Sequence, residues 1–139
     1  MSLDVYINFK KSRPLNFFLE HPYSYSHLSD NDKRSFYEED HWDDNITHNL
    51  GEMASHVPVG DTTLYMVCWR PEEINIKTVG EILPLLVEGI HYMIDHRKEL
   101  EQYNSPNGWG TYNGFMKFLL NYKQACEDND PDCEIQTWR

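Results

Sequence analysis

The chain has 139 residues, 40% of them hydrophobic and 14% aromatic, too rich in core-forming side chains for a disordered protein and sized for one domain, residues 1–139. With 23 acidic against 12 basic residues the formal charge is −11, which argues against nucleic acid as a partner, because phosphate contacts need clustered Lys and Arg. No apolar run is long enough to cross a bilayer, and Met1-Ser2-Leu3-Asp4 opens no signal-peptide pattern, so the expectation is a cytoplasmic protein with no membrane partner.

Three cysteines, Cys68, Cys126 and Cys133, are an odd number without a C-x-x-C pair. Reduced thiols are the expected state.

In chain order, Asp4 to Phe9 alternates Val5, Ile7 and Phe9 with polar neighbours and predicts a half-buried strand. Ser12 to Asp43 is irregular, with Pro14, Pro22 and the run Glu38-Glu39-Asp40, and predicts a loop region holding one short helix around Asp30 to Tyr37. Asp44 or Asn45 is a good N-cap for a helix whose apolar face is Ile46, Leu50, Met53 and Val57, stopped by Pro58 and Gly60. Leu64 to Trp69 fits either a strand or a short helix capped by Asp61. Thr78-Val79-Gly80-Glu81 is a capping box, followed by a stripe of helical period from Val79 to Arg97, with Pro84 near its start. A last helix follows Gly110 with Thr111 as cap and Tyr112, Phe115, Leu119, Tyr122 and Cys126 inward. Asp128 to Asp132 turns into a strand over Cys133 to Arg139. The predicted architecture is α+β: a helix-dominated single domain with a small sheet joining N- and C-terminal strands.

Candidate chemistry lies in three places. Asn45, His48 and Asn49 put poor helix formers on a predicted helix, which suggests specific hydrogen bonds to a ligand or to neighbouring loops. Trp69 and Arg70 set an always-charged guanidinium beside an aromatic ring, able to clamp an anion or to form a structural ion pair. Asn107-Gly108-Trp109-Gly110-Thr111-Tyr112 is a turn that accepts positive φ, holds a Trp between glycines and opens a helix whose free N–H groups could receive an anion. Separately, His48, Glu52 and His56 stand four apart within an arc of about 80°, a loose metal-ligand set to which His41 could add. The plain alternative is an exposed polar helix face.

The runs Asn45 to Ala54, Trp69-Arg70-Pro71-Glu72-Glu73 and Asn107 to Tyr112 resemble a family of small uncharacterised proteins from bacteria and their phages. The resemblance spans roughly Asp4 to Arg139. It implies a shared fold, with helix favoured at Leu64 to Trp69, and a site at these segments. It implies no reaction.

Three functional expectations follow. The first is a phage or mobile-element accessory protein that binds a small anionic ligand through Asn45, His48, Asn49, Trp69, Arg70, Asn107, Trp109 and Tyr112. The second is an acidic immunity or anti-defence module covering a basic protein with Glu38, Glu39, Asp40, Asp43 and Asp44, anchored by Tyr37 and Trp42. The third is a metal-dependent hydrolase built on His48, Glu52 and His56. No Ser-His-Asp order, Walker loop or dinucleotide fingerprint is present, so neither a reaction nor a cofactor is assigned.

Overall fold

Alternation decides where the N-terminal strand buries its side chains. In the computed structural model, which describes residues 2–14, 29 and 38–139, β1 (Ser2–Pro14) turns Leu3, Val5 and Ile7 inward, each fully buried. It is the central strand of a three-stranded sheet, between β2 (Glu38–Thr47) and the C-terminal β5 (Ile135–Trp138). Both pairings are antiparallel: Leu3 faces Ile46 and Ile7 faces Trp42 on one side, and Val5 faces Thr137 and Ile7 faces Ile135 on the other. The two ends of the chain therefore meet in one sheet, as predicted.

The strand β2 overturns two expectations. Residues 38–43 are extended rather than looped, and Asn45 to Thr47 finish the strand rather than open a helix. The stretch has poor strand propensity, yet pairing with β1 satisfies its backbone and places Trp42 and Ile46 toward the core. The four-residue step from Ile46 to Leu50 resembles a helical face only because a strand residue and the following turn bury into the same core. The helix expected around Asp30 to Tyr37 lies outside the described residues.

After β2 the chain makes a 3₁₀ turn, His48–Leu50, and runs into α1 (Gly51–Ser55). The cap is Thr47, whose hydroxyl accepts from the Asn49 N–H at 3.2 Å. A tight hairpin follows, β3 (Pro58–Val59) and β4 (Thr62–Thr63), turning at Gly60 with φ 57°. Leu64–Trp69 is a helix, α2, capped by Thr63 rather than Asp61.

The long helix α3 (Val79–Asp95) starts at the capping box: the Glu81 carboxylate accepts from the Lys77 and Thr78 backbone N–H groups at 3.0 and 3.1 Å. Pro84 is its sixth residue, so the Gly80 carbonyl has no i+4 donor. At Gly89, α3 crosses α2 so closely that a Cβ would stand 2.8 Å from Leu64. A short helix α4 (Arg97–Leu100) and the 3₁₀ turn Glu101–Tyr103 lead to the Asn104–Thr111 loop and then to α5 (Tyr112–Glu127). The predicted inward residues of α5 are all buried, as are the three free thiols.

The fold is α+β. Val79, Ile82, Phe115, Leu119 and Tyr122 share one apolar core with Leu3, Val5, Ile7 and Ile46 from the inner face of the sheet. Asp4, Tyr6, Gln136 and Trp138 occupy the opposite face, where none is fully buried. Among the described residues no helix is long and apolar enough to cross a membrane.

Candidate functional site

The 3₁₀ turn after β2 is the hub of the predicted site. Thr47 ends the strand, so His48 and Asn49 project from a capped turn rather than from a helix face. From there His48 reaches α2: the indole Nε1–H of buried Trp69 donates to His48 Nδ1 at 3.0 Å. An indole nitrogen only donates, so Nδ1 must carry the lone pair and the neutral ring holds its proton on Nε2. Tyr65 stacks on the far side of Trp69 at 5.3 Å between ring centroids, which fixes the donor.

Asn49 reaches the other predicted segment. Its Nδ2 donates to the Trp109 carbonyl at 2.9 Å. The loop is further clamped by Ser105 N–H to the Gly110 carbonyl at 2.9 Å, Gly108 N–H to the Ser105 carbonyl at 3.0 Å, and Trp109 N–H to Asn107 Oδ1 at 2.9 Å. Gly110 has φ 118°, and a Cβ there would stand 3.2 Å from the Asn49 Cβ, so the loop needs glycine for conformation and for space alike. The backbone of Trp109 is held from both sides while its side chain is 72% exposed.

The structure thus joins the three predicted segments through His48 with Trp69 and Asn49 with Trp109. It uses the His48 side chain on the Trp69 indole and the Asn49 side chain on the Trp109 backbone. Tyr112 is 4% exposed, donates its hydroxyl to the Met93 carbonyl at 2.7 Å and lies under the Arg97 guanidinium, 5.0 Å from its ring centroid. Burial raises its phenol above the usual range.

Two predicted residues stand apart. Asn45 is on β2, in register with Asp4, away from the turn. Arg70 is engaged locally, at 2.7 Å from Glu73 and 3.4 Å from the Tyr65 hydroxyl, and Glu73 raises its already high pKa. The start of α5 is also occupied: Tyr112 N–H donates to Asn104 Oδ1 at 2.7 Å and Gly114 N–H to Thr111 Oγ1 at 3.1 Å. The anion clamp expected from Arg70 and this helix terminus therefore has part of its donor set already engaged within the protein.

Beside His48 lies an open cleft of about 670 Å³. His48, Asn49 and Glu52 form one wall, and Gln102, Tyr103, Asn104, Ser105 and Pro106 the other. His48 Nε2 and the Glu52 carboxylate have no protein partner among the described residues. Gln102 and Tyr103 escaped sequence reasoning because they sit on a short 3₁₀ turn with no motif around them. Asn104, Ser105 and Pro106 open the segment Asn104 to Tyr112, whose composition suits either holding a small ligand or shaping a rigid loop.

The other two expected constellations are not gathered as predicted. His56 bonds through Nδ1 to the Glu52 carbonyl at 2.8 Å and stacks on Tyr103 at 4.3 Å, and His41 Nε2 lies 2.9 Å from Asp43. Among the described residues no group of three or more His, Cys, Asp or Glu side chains is placed to hold a metal. Asp43 and Asp44 are successive residues of β2 and so point to opposite faces. Trp42, expected as an anchor for a partner, packs 5.3 Å from the Tyr122 ring inside the molecule. Tyr37 lies outside the described residues.

Comparison with protein families, curated proteins and solved structures returned no match.

Proposed function

We propose that this chain acts by binding, as a small accessory protein, and that the cleft beside His48 takes a small, uncharged molecule that presents a hydrogen-bond acceptor beside an N–H donor. The observation that supports this reading is the pairing of two unused groups across one helical turn. His48 offers an Nε2–H donor whose orientation is set by Trp69, and Glu52 offers a carboxylate acceptor four residues on. Among the described residues Glu52 is the only charged side chain lining the cleft. A primary amide or aminopyrimidine edge, with an acceptor for Nε2–H beside an N–H donor for the carboxylate, satisfies both groups, whereas a phosphate would meet a carboxylate with no cation beside it. The net charge of −11 disfavours an anionic ligand in the same way. This reading departs from the anionic ligand expected from sequence, because Arg70 is committed to Glu73.

The test is a thermal-shift panel of nicotinamide, cytosine, inorganic phosphate and pyrophosphate against the wild type and Glu52→Gln. A ligand at one hundred times its Kd stabilises by about 2.7 kcal/mol. Nicotinamide or cytosine should raise the midpoint for the wild type and lose that effect in Glu52→Gln, with phosphate and pyrophosphate inert. A shift with phosphate or pyrophosphate instead would restore the anionic reading. No shift with any of the four would leave the cleft without a ligand of this class.

A further inference from the structure

A second opening lies on the far side of the molecule, where a partial extra strand peels away from the sheet. Lys77 to Val79 runs antiparallel to the start of β5: Ile135 N–H donates to the Lys77 carbonyl and Val79 N–H to the Cys133 carbonyl, both at 3.0 Å. Upstream of Lys77 the chain turns off through Ile76 and Asn75, the latter at φ 61°. A wedge of about 490 Å³ opens between that departing segment and β5. Its buried floor is Pro71, Ile76 and Ile135, and its rim is Glu72, Lys77, Glu134 and Trp138.

The backbone direction along β5 follows from its partners. Asn8 N–H donates to the Glu134 carbonyl, so Glu134, Gln136 and Trp138 address β1 while Ile135 and Thr137 address the wedge. Ile135 N–H is taken by Lys77. The Ile135 carbonyl and both Thr137 backbone groups face the wedge with no partner among the described residues. This is an unfinished strand edge, the surface to which an extended chain can add itself.

The charges on that edge select the occupant. Trp138 is 62% exposed on the outer face of the sheet, directly in register with Asp4 and on the same side as Glu134. The Glu72 carboxylate is already paired with Arg139. A docked strand would therefore lay alternate side chains over the apolar floor and the others beside Trp138 and Asp4. A Lys or Arg there meets an indole face with the Asp4 carboxylate in register beside it. We propose that β5 is a docking edge for an extended segment of a partner protein, alternating basic and apolar residues, which adds to the sheet as a further strand.

The probes are the capped hexapeptide Lys-Val-Lys-Val-Lys-Val and its Glu-for-Lys counterpart, titrated into isotope-labelled full chain. The expected result is that only the lysine peptide shifts the Thr137 amide and the Trp138 indole signals. Thr137→Pro should weaken its binding at least tenfold. Proline removes an N–H that β1 does not use, so the sheet should keep its thermal midpoint. If Thr137→Pro does not fold, Asp4→Asn and Trp138→Ala serve instead, each expected to weaken binding at least fivefold. Equal binding of the two peptides, binding untouched by these substitutions, or no shift at Thr137 would overturn the proposal. So would a peptide-free dimer that Thr137→Pro dissolves, because the occupant would then be a second copy of this chain.

Discussion

At the residue scale, the bond between His48 and Trp69 separates scaffold from site. The imidazole serves both at once: Nδ1 accepts from a buried indole, and Nε2 has no protein partner among the described residues. His48→Ala strands the Trp69 N–H in the core and should cost about 1–3 kcal/mol, the penalty of an unmade hydrogen bond. On a Trp69→Phe background there is no N–H to strand, so the same change should cost within about 0.5 kcal/mol, as a surface substitution does. Urea denaturation of the four proteins in this cycle measures the coupling. Equal costs on both backgrounds would mean that His48 supports the fold by packing and not by this bond. The sequence singled out His48, Asn49, Trp69 and Trp109 because amides, a histidine and glycine-flanked aromatics are costly unless something specific holds them. It could not say that they would hold one another, since His48 and Trp69 are 21 residues apart and Asn49 and Trp109 are 60. Nor did any pattern mark Arg70 as taken, because its partner Glu73 was one of several carboxylates within reach.

At the scale of elements, the capping box of α3 gives a prediction with a definite sign. Backbone N–H groups of Lys77 and Thr78 and the Thr78 hydroxyl hold the Glu81 carboxyl below the ordinary value of 4.5. A folded-state pKa below the unfolded one stabilises above pH 4.5, and that contribution is lost as pH falls through the depressed value. Glu81→Gln should therefore lower the thermal midpoint near pH 7 and converge on the wild type in strong acid. A gap that stays constant between pH 7 and pH 2 would show that the carboxylate charge contributes nothing. This element was legible because its signals are local: cap, period and length all lie between Thr78 and Asp95. The same holds for α5, whose cap and inward face were read correctly. The strand β2 was illegible because its stability comes from β1, whose paired residues lie 24 to 45 positions away, and its run of acids has no strand propensity of its own. The extended stretch 38–43 is a tertiary decision overriding a local one.

At the scale of the whole molecule, charge and topology pull in different directions. The sheet closes the chain on itself, with β1 between β2 and β5, and the helices bury one face of it in a single core. The sequence carries 23 carboxylates and only 12 Lys and Arg side chains. Arg70–Glu73, Arg97–Glu101 and Lys123–Glu127 are exposed or half-exposed pairs at 2.7, 2.6 and 2.6 Å. Each such pair contributes about 0–1 kcal/mol and loses part of that in salt. The excess of eleven negative charges (23 − 12) acts over the whole surface, and self-repulsion of that kind favours the expanded chain. Salt shortens its reach, from a Debye length of about 30 Å at 0.01 M to about 8 Å at 0.15 M. The repulsive excess outweighs the few attractive pairs, so raising sodium chloride from 0.01 to 0.5 M at pH 7 should raise the thermal midpoint. The gain should shrink as pH is lowered toward the carboxylate range, because protonation removes the excess that salt was screening. A midpoint that falls with salt at pH 7 would reverse this ranking and assign the surface ion pairs a net stabilising role.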